Sequence, residues 1–346
     1  MADIFGLTLP ELQAVLEPFN VPKYRARQIA EWLYKRGARN FGEMTNLPGA
    51  LRAELAEKLS IGRPKLAARR DSADGRTAKF LLEFTDGTAV ETVLMRQPYG
   101  NSICVSTQAG CNMGCAFCAS TLHGLARDLT RGEILAQAVT INDLLREENA
   151  GKVDTVVIMG SGEPLMNYDN VLGFIRLLHE AYVLGLGYRN FTLSTSGIVP
   201  NMYRLAEENL PISLSVSLHA PNSELRSRIM PINRQYPLAD VVAAARHYAE
   251  QTKRRVTYEY ILIDGLNDGE AQAKELVRLL QGQLASVNLI PINPVQERNL
   301  LRPNPARIEA FEHYLSAHRL AVTLRREMGS DIQAACGQLR NQYLEQ

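Results

Sequence analysis

The spacing of apolar residues changes twice along the chain, and each change marks a different kind of structure. Up to about residue 60 the period is helical. Thr8 and Glu11 are spaced as a capping box, in which each side chain bonds the other's backbone N–H, and Leu12, Val15 and Leu16 follow on one face. A second helix is predicted from about residue 24 to 36, with Ile29, Trp32 and Leu33 apolar and Lys23, Arg25, Arg27, Lys35 and Arg36 basic. From about residue 78 the pattern becomes strand-like. Residues 78–84 and 89–95 are two such runs, and Thr85-Asp86-Gly87 between them predicts a hairpin. From about residue 101 strands alternate with helices. Strands are expected at 103–107, 155–159, 191–194, 212–217, 256–262 and 287–292. Helices are expected at about 130–147, 169–183, 199–208, 237–252, 268–281 and 305–318. Six consecutive βα units imply a parallel sheet with right-handed crossovers, either an open doubly wound sheet or a barrel or partial barrel. No Gly-x-Gly-x-x-Gly turn follows the first strand.

Both architectures place function at the C-terminal ends of the strands, and the unusual residues fall there. Cysteines follow the first strand, Gly160-Ser161-Gly162-Glu163-Pro164 the second and Ser194-Thr195-Ser196-Gly197 the third. Ser217-Leu218-His219 ends the fourth and Asn293-Pro294 the sixth. The Pro/Asn-rich stretch 294–305 is long enough to be a lid or substrate loop.

Composition narrows the class. Of 346 residues, 46% are hydrophobic and 22% charged, which fits about two globular domains and excludes a disordered chain. No apolar run approaches the ~18 residues of a membrane span, and Met1-Ala2-Asp3-Ile4-Phe5 opens no secretory signal. A cytoplasmic protein without a membrane is expected. With 38 basic and 37 acidic residues the net charge is +1. That excludes a protein that coats nucleic acid by charge alone and confines any phosphate-contacting surface to a patch. The basic helix near residue 30 is such a patch or a solvated face. Arg63, Lys65, Arg69 and Arg70, with no acid among them, favour the patch.

Four of the five cysteines, Cys104, Cys111, Cys115 and Cys118, fall within fifteen residues, and Cys336 stands apart. An odd, clustered set argues against a disulfide framework. Cys111-x-x-x-Cys115-x-x-Cys118 offers three thiolates, the soft ligands that iron–sulfur clusters and zinc prefer. Clusters of four irons normally take four cysteines, so three leave one iron open to a small molecule. A zinc site completed by His123 is the alternative. One three-cysteine loop at the edge of a parallel sheet, rather than two short knuckles, counts against it.

This motif, with Phe117 before its last cysteine, resembles the signature of the radical S-adenosylmethionine (SAM) superfamily. The likeness narrows through Cys104-Val-Ser-Thr-Gln-Ala-Gly-Cys111, Gly160-Ser-Gly-Glu-Pro164, Ser217-Leu-His-Ala-Pro221, Met230-Pro-Ile-Asn233 and Ala334-Ala-Cys-Gly-Gln-Leu339. Together these resemble the RlmN family of dual-specificity RNA adenine-C2 methyltransferases, from about Tyr24 to Leu339. The resemblance implies a partial (βα)6 TIM-like barrel at 98–346, a helical RNA-binding accessory domain at 1–60, and a basic linker with a β-hairpin extension at 61–97. It implies one 4Fe–4S cluster on Cys111, Cys115 and Cys118, and SAM against Gly162, Glu163, Ser194, Ser217, Leu218, His219 and Asn293. Cys336 would carry the methyl group as S-methylcysteine, Cys104 would pair with it in a transient disulfide, and Glu91 would accept a proton. Implied partners are 23S rRNA, tRNA and an electron donor such as flavodoxin, with the enzyme a monomer.

The chemistry has a physical logic. Adenine C2 is electron-poor and its hydrogen has no useful acidity, so the carbon cannot be made to attack the SAM methyl. A thiolate can take that methyl first. A 5′-deoxyadenosyl radical then activates it for addition to the ring, and thiol exchange releases the product. Two non-cluster cysteines are the minimum, and the chain has two. Two other readings remain open: a Cfr-like adenine-C8 methyltransferase conferring antibiotic resistance, which tends to lack Pro164, and a non-catalytic iron–sulfur or zinc module that binds RNA. Arg325 and Arg326 precede Cys336 and either steer phosphate toward the thiol or cap a strand.

Overall fold

A computed structural model describes residues 1–325 and 328–339. Its N-terminal unit runs through β1 (Ala2–Asp3), α1 (Leu9–Leu16), α2 (Tyr24–Tyr34), α3 (Gly49–Lys58) and β2 (Leu59–Ser60), with β2 pairing parallel to β1. The Thr8–Glu11 capping box opens α1 as its spacing predicts. Leu12, Ile29, Leu33 and Leu55 form the buried side of the three helices. Several contacts fasten this unit and the segment just after it to the rest, among them the Glu11–Arg131 ion pair at 2.6 Å. The Arg63 guanidinium lies 2.6 Å from the Asp143 carboxylate, both side chains buried. The backbone at Gly6 (φ +89°) packs directly on Gly132, where a Cβ on Gly6 would collide with the Gly132 main chain and one on Gly132 with the Phe5 carbonyl.

Four strands then run antiparallel: β3 (Lys65–Asp71), β4 (Thr77–Glu83), β5 (Ala89–Gln97) and β6 (Gly100–Cys104). The short ribbon β7 (Gln108–Gly110) and β8 (Leu125–Asp128) brackets the three-cysteine loop. After α4 (Arg131–Glu147) come β9 (Val153–Ile158), α5 (Tyr168–His179), β10 (Phe191–Thr195), α6 (Val199–Glu207) and β11 (Ser213–Ser217). The chain continues through α7 (Ser223–Ile229), α8 (Leu238–Thr252), β12 (Val256–Leu262), α9 (Glu270–Leu280), β13 (Ala285–Pro291), α10 (Pro305–Ala317) and β14 (Ala321–Leu324). One ten-stranded sheet results, in the order β14-β13-β12-β11-β10-β9-β6-β5-β4-β3. From β6 to β14 every pairing is parallel. The six expected βα strands are all present, and they carry their polar clusters at one edge.

The structure departs from the sequence expectation at four places. The basic stretch expected as a linker is strand β3 at the edge of the sheet, where charged side chains guard an unpaired ladder against other chains. The hairpin β4–β5 is therefore part of a three-stranded addition that continues the barrel sheet through β6. That first strand lies a few residues earlier than expected, because Thr107 leaves the ladder and donates to the Ser161 carbonyl at 2.9 Å. Two short elements, α7 and the half-exposed β14, carry too little apolar periodicity to announce themselves.

Candidate active site

The three-cysteine loop is fixed by its backbone. Cys111 N–H donates to the Gly124 carbonyl at 3.0 Å, Ala116 N–H to Ile229 at 2.9 Å, and the Thr121 hydroxyl to the Cys118 carbonyl at 2.9 Å. All three cysteines face one cavity of about 160 Å³, together with Glu163, Ser194, Ser217 and His219. Burial pushes the Cys111 thiol up to about 12 and raises Cys115 and Cys118 as well, and the thiols raise one another. Thiolate is the ligand form of cysteine, so binding of a cluster or metal here would release these protons. Among the described residues no three His, Cys, Asp or Glu side chains converge closely enough to hold a single metal ion. His123, the histidine of the zinc alternative, is exposed and does not line the cavity.

The opposite wall is polar. Gly162 (φ +104°) presses its backbone on Gln108, where a Cβ would lie 2.6 Å from the Gln108 Cβ. Glu163 is 3% exposed. Its carboxylate accepts from the Thr195 hydroxyl at 2.7 Å, the Ser196 N–H at 2.6 Å and the Leu165 N–H at 3.0 Å. Burial nevertheless raises its pKa. His219 sits in left-handed backbone (φ +58°) and its Nδ1 accepts from the Ile261 N–H at 3.0 Å. Its proton is therefore on Nε2. Burial, helped by the Arg226 charge, lowers the pKa of His219 to about 3, so the ring is neutral. Phe117 meets it edge-to-face at 4.7 Å. Cysteine thiols, a neutral N–H donor, two hydroxyls and a carboxylate make a donor set suited to a cluster and to the amino acid and ribose ends of SAM. Leu218 and Asn293 are placed differently: Leu218 is fully buried off this wall, and Asn293 lines a second cavity.

That second cavity holds about 910 Å³, and Cys104 and Cys336 both line it. Cys336 lines the smaller one too, as do Cys118, Met159, Arg325 and Gly337. Cys336 thus stands where the two cavities meet. Its segment, 328–339, is strapped on both sides. Asn293 Nδ2 donates to the Cys336 carbonyl at 3.0 Å, and Gln338 Nε2 to the Pro294 carbonyl at 3.1 Å. Ala119 N–H reaches the Gly337 carbonyl at 2.8 Å, and the Ser120 hydroxyl reaches that of Leu339 at 2.9 Å. On the other side Ala73 N–H donates to Asp331 at 2.9 Å. Cys104 ends β6, and burial, with Cys336 nearby, pushes its thiol up to about 12. Glu91, on β5, is buried against the Lys79 ammonium at 2.8 Å.

Arg325, expected either to steer phosphate or to cap a strand, is joined at the site by two residues not singled out in the sequence, Arg226 and Glu259. Arg325 continues the β13–β14 pairing through its N–H to the Leu289 carbonyl. Its charge is strengthened by Cys336, Glu259 and Cys104, so it faces inward to the thiols. Arg326 and Glu327 lie outside the described residues. Arg226 is fully buried and donates to the carbonyls of Ser196 at 2.6 Å and Ser217 at 3.1 Å, clamping two strand ends together. Glu259 lines the smaller cavity, and its position inside the apolar strand Val-Thr-Tyr-Glu-Tyr-Ile-Leu was a readable anomaly. The 294–305 loop touches the cysteine loop through Arg298, which donates to the Thr121 hydroxyl at 3.2 Å.

Comparison with known proteins agrees with this geometry. Residues 105–277 match the radical SAM superfamily, and residues 2–61 match the ribosomal RNA large subunit methyltransferase N-terminal domain. A probable dual-specificity RNA methyltransferase RlmN of Symbiobacterium thermophilum is 52% identical over 337 residues, 97% of this chain and 90% of the relative. One from Geobacillus thermodenitrificans is 49% identical over 98% of this chain and 93% of the relative. The crystal structure of a radical SAM methyltransferase from Sphaerobacter thermophilus superposes with a TM-score of 0.95 at 46% identity, covering 99% of this chain and 100% of that one. The chain belongs to the RlmN family of dual-specificity RNA methyltransferases, within the radical SAM superfamily.

Proposed function

We propose that this enzyme methylates C2 of an adenine in 23S rRNA, at the peptidyl transferase centre, and in tRNA, at the adenosine 3′ of the anticodon. The observation that carries the reading is the position of Cys336 on the wall shared by two cavities, one with the cluster cysteines and one with Cys104. Cys111, Cys115 and Cys118 would hold a 4Fe–4S cluster, which when bound would supply one-electron reduction for the radical cleavage of SAM. Gly162, Glu163, Ser194, Ser217, Leu218, His219 and Asn293 bind SAM. Cys336 takes a methyl group from SAM as a thioether and presents it to the base in the larger cavity. Glu91 accepts the C2 proton. Cys104 then frees the product by pairing with Cys336.

Residues 1–60 form the RNA-binding accessory unit, 61–97 the basic connection and strands added to the sheet, and 98–346 the barrel with its carrier segment. An electron donor such as flavodoxin serves the enzyme, which works as a cytoplasmic monomer. Among the described residues no helix is long and apolar enough to cross a membrane. Mass-spectrometric mapping of adenine after reaction with 23S rRNA and tRNA tests the regiochemistry. Methyl at C2 is expected, and methyl at C8 alone would replace this reading with the alternative chemistry.

A further inference from the structure

Lys79 is buried where a lysine has little reason to be. Its side chain is 6% exposed, on β4, with Nζ 2.8 Å from Glu91 Oε1, itself 7% exposed. The same Nζ donates to the Gln333 carbonyl at 3.1 Å. Lys79 pairs with Val93 across β4–β5, and Glu91 is two residues from Val93 on the same strand. All three therefore share one face of the sheet, and Val93 lines the larger cavity. Gln333 belongs to the strapped segment that carries Cys336. One ammonium thus joins the carboxylate on β5 to the backbone that presents the carrier thiol.

Burying such a pair is not an efficient way to stabilise a sheet, since two ions must leave water and apolar side chains of similar size do as well. Its position explains it better. We propose that Lys79 is a positioning residue that couples Glu91 to the docked Cys336 segment. The inference rests on Glu91 being the proton acceptor. In that step the C2–H bond gives its proton to a Glu91 oxygen and leaves its electron pair on the purine, so the carboxylate must start ionised and aimed. The adjacent ammonium favours the ionised form and fixes its direction. Its bond to Gln333 requires the carrier segment to be seated for the ammonium to be fully held.

The test uses the full-length, cluster-loaded enzyme with SAM, reductant and RNA, comparing Lys79→Met, Lys79→Gln and Lys79→Arg, alone and with Glu91→Gln. Four quantities are read: methyl on Cys336, 5′-deoxyadenosine formed, covalent enzyme–RNA adduct, and methylated RNA. In Lys79→Met and Lys79→Gln, Cys336 methylation and 5′-deoxyadenosine in a single turnover are expected to stay near wild type. The adduct should accumulate and product release fall about 10- to 100-fold, less than the roughly 10²- to 10⁴-fold of losing the acid–base group itself, because Glu91 stays in place. Lys79→Arg should restore most of the release, and adding Glu91→Gln should cost nothing further. Wild-type release in either neutral variant, or an equal fall in all four quantities, overturns the coupling. So does additivity with Glu91→Gln. A wild-type enzyme that never carries methyl on Cys336 refutes the functional reading itself, a distinct outcome.

Discussion

The two groups of cysteines are built in opposite ways. Cys111, Cys115 and Cys118 lie within eight positions, on one loop bracketed by β7 and β8 and held largely by short-range bonds, with a longer tie from Ala116 N–H to the Ile229 carbonyl. Cys104 and Cys336 are 232 residues apart, one ending a core strand and the other on a strap tied at several points to other elements. The first group needs a fixed geometry to hold one object. The second must meet a substrate, form a bond to it and break that bond again. Local sequence suffices for the first, and tertiary structure sets the second, so damage should be all-or-none in one and separable by step in the other.

The sharpest way to break the comparison is to remove one thiol from each group. Cys118→Ala should abolish iron–sulfur incorporation and all turnover, measured as iron and sulfide per chain after anaerobic purification. Cys336→Ala should keep its iron yet carry no S-methylcysteine and make no methylated RNA. Equal iron loss in both would mean that the two groups form one structural unit.

Cys104→Ala sharpens the contrast further, because it should fail late. Methyl loading of Cys336 should survive while covalent enzyme–RNA adduct accumulates. The wild-type thiol also has a chemical signature. With its pKa pushed up to about 12, only about one part in 10⁴ is thiolate near pH 8. Iodoacetamide applied to the native protein should therefore alkylate Cys336 before Cys104, read by peptide mass spectrometry, and unfolding should remove the difference. Because the folded pKa is raised, modification of Cys104 should speed up as pH rises toward that value.

The same contrast governs what could be read from the chain. The βα alternation and the three-cysteine loop were legible because both are local: a period of apolar residues and a spacing of eight positions. The position of Cys336 was legible only through the resemblance of Ala334-Ala-Cys-Gly-Gln-Leu339 to a family motif. No spacing in the chain announces that Asn293 would bond to the Cys336 carbonyl, or that Lys79 would reach Gln333. β3 was misread because its basic residues resemble a linker, whereas an edge strand tolerates the same charges. Asn293, expected against SAM, also lines the larger cavity and bonds the Cys336 carbonyl, a tertiary contact that its place at a strand end does not reveal.

At the mouth of the larger cavity the turn between β5 and β6 presents Tyr99, 72% exposed, with Arg76 and Arg96 nearby on the cavity wall. An enzyme that acts on a base must take it out of the stack, and an exposed aromatic ring offers a surface for a neighbouring base. Tyr99→Ala should weaken RNA binding by about 1–3 kcal/mol, roughly 5- to 150-fold in Kd. Tyr99→Phe should bind as wild type, and Cys336 methylation without RNA should be unchanged in both.

The smallest effect tests the strap itself. Asn293 Nδ2 reaches the Cys336 carbonyl at 3.0 Å in a partly buried setting, and such a bond contributes about 0.5–1.5 kcal/mol net. Asn293→Ala removes it but leaves the Gln338–Pro294, Ala119–Gly337 and Ser120–Leu339 bonds in place. The segment should therefore stay docked most of the time and open more often. Hydrogen exchange in 328–339 should rise about 2- to 12-fold, the population change that this energy implies, while the cysteine loop keeps its wild-type rate. If Asn293 instead acted only on SAM, the loss would appear in the SAM concentration dependence, with exchange in the strap unchanged. Loss of protection in both segments together would show that the strap and the loop open as one unit, and the division between a locally built cluster site and a tertiary carrier site would fail.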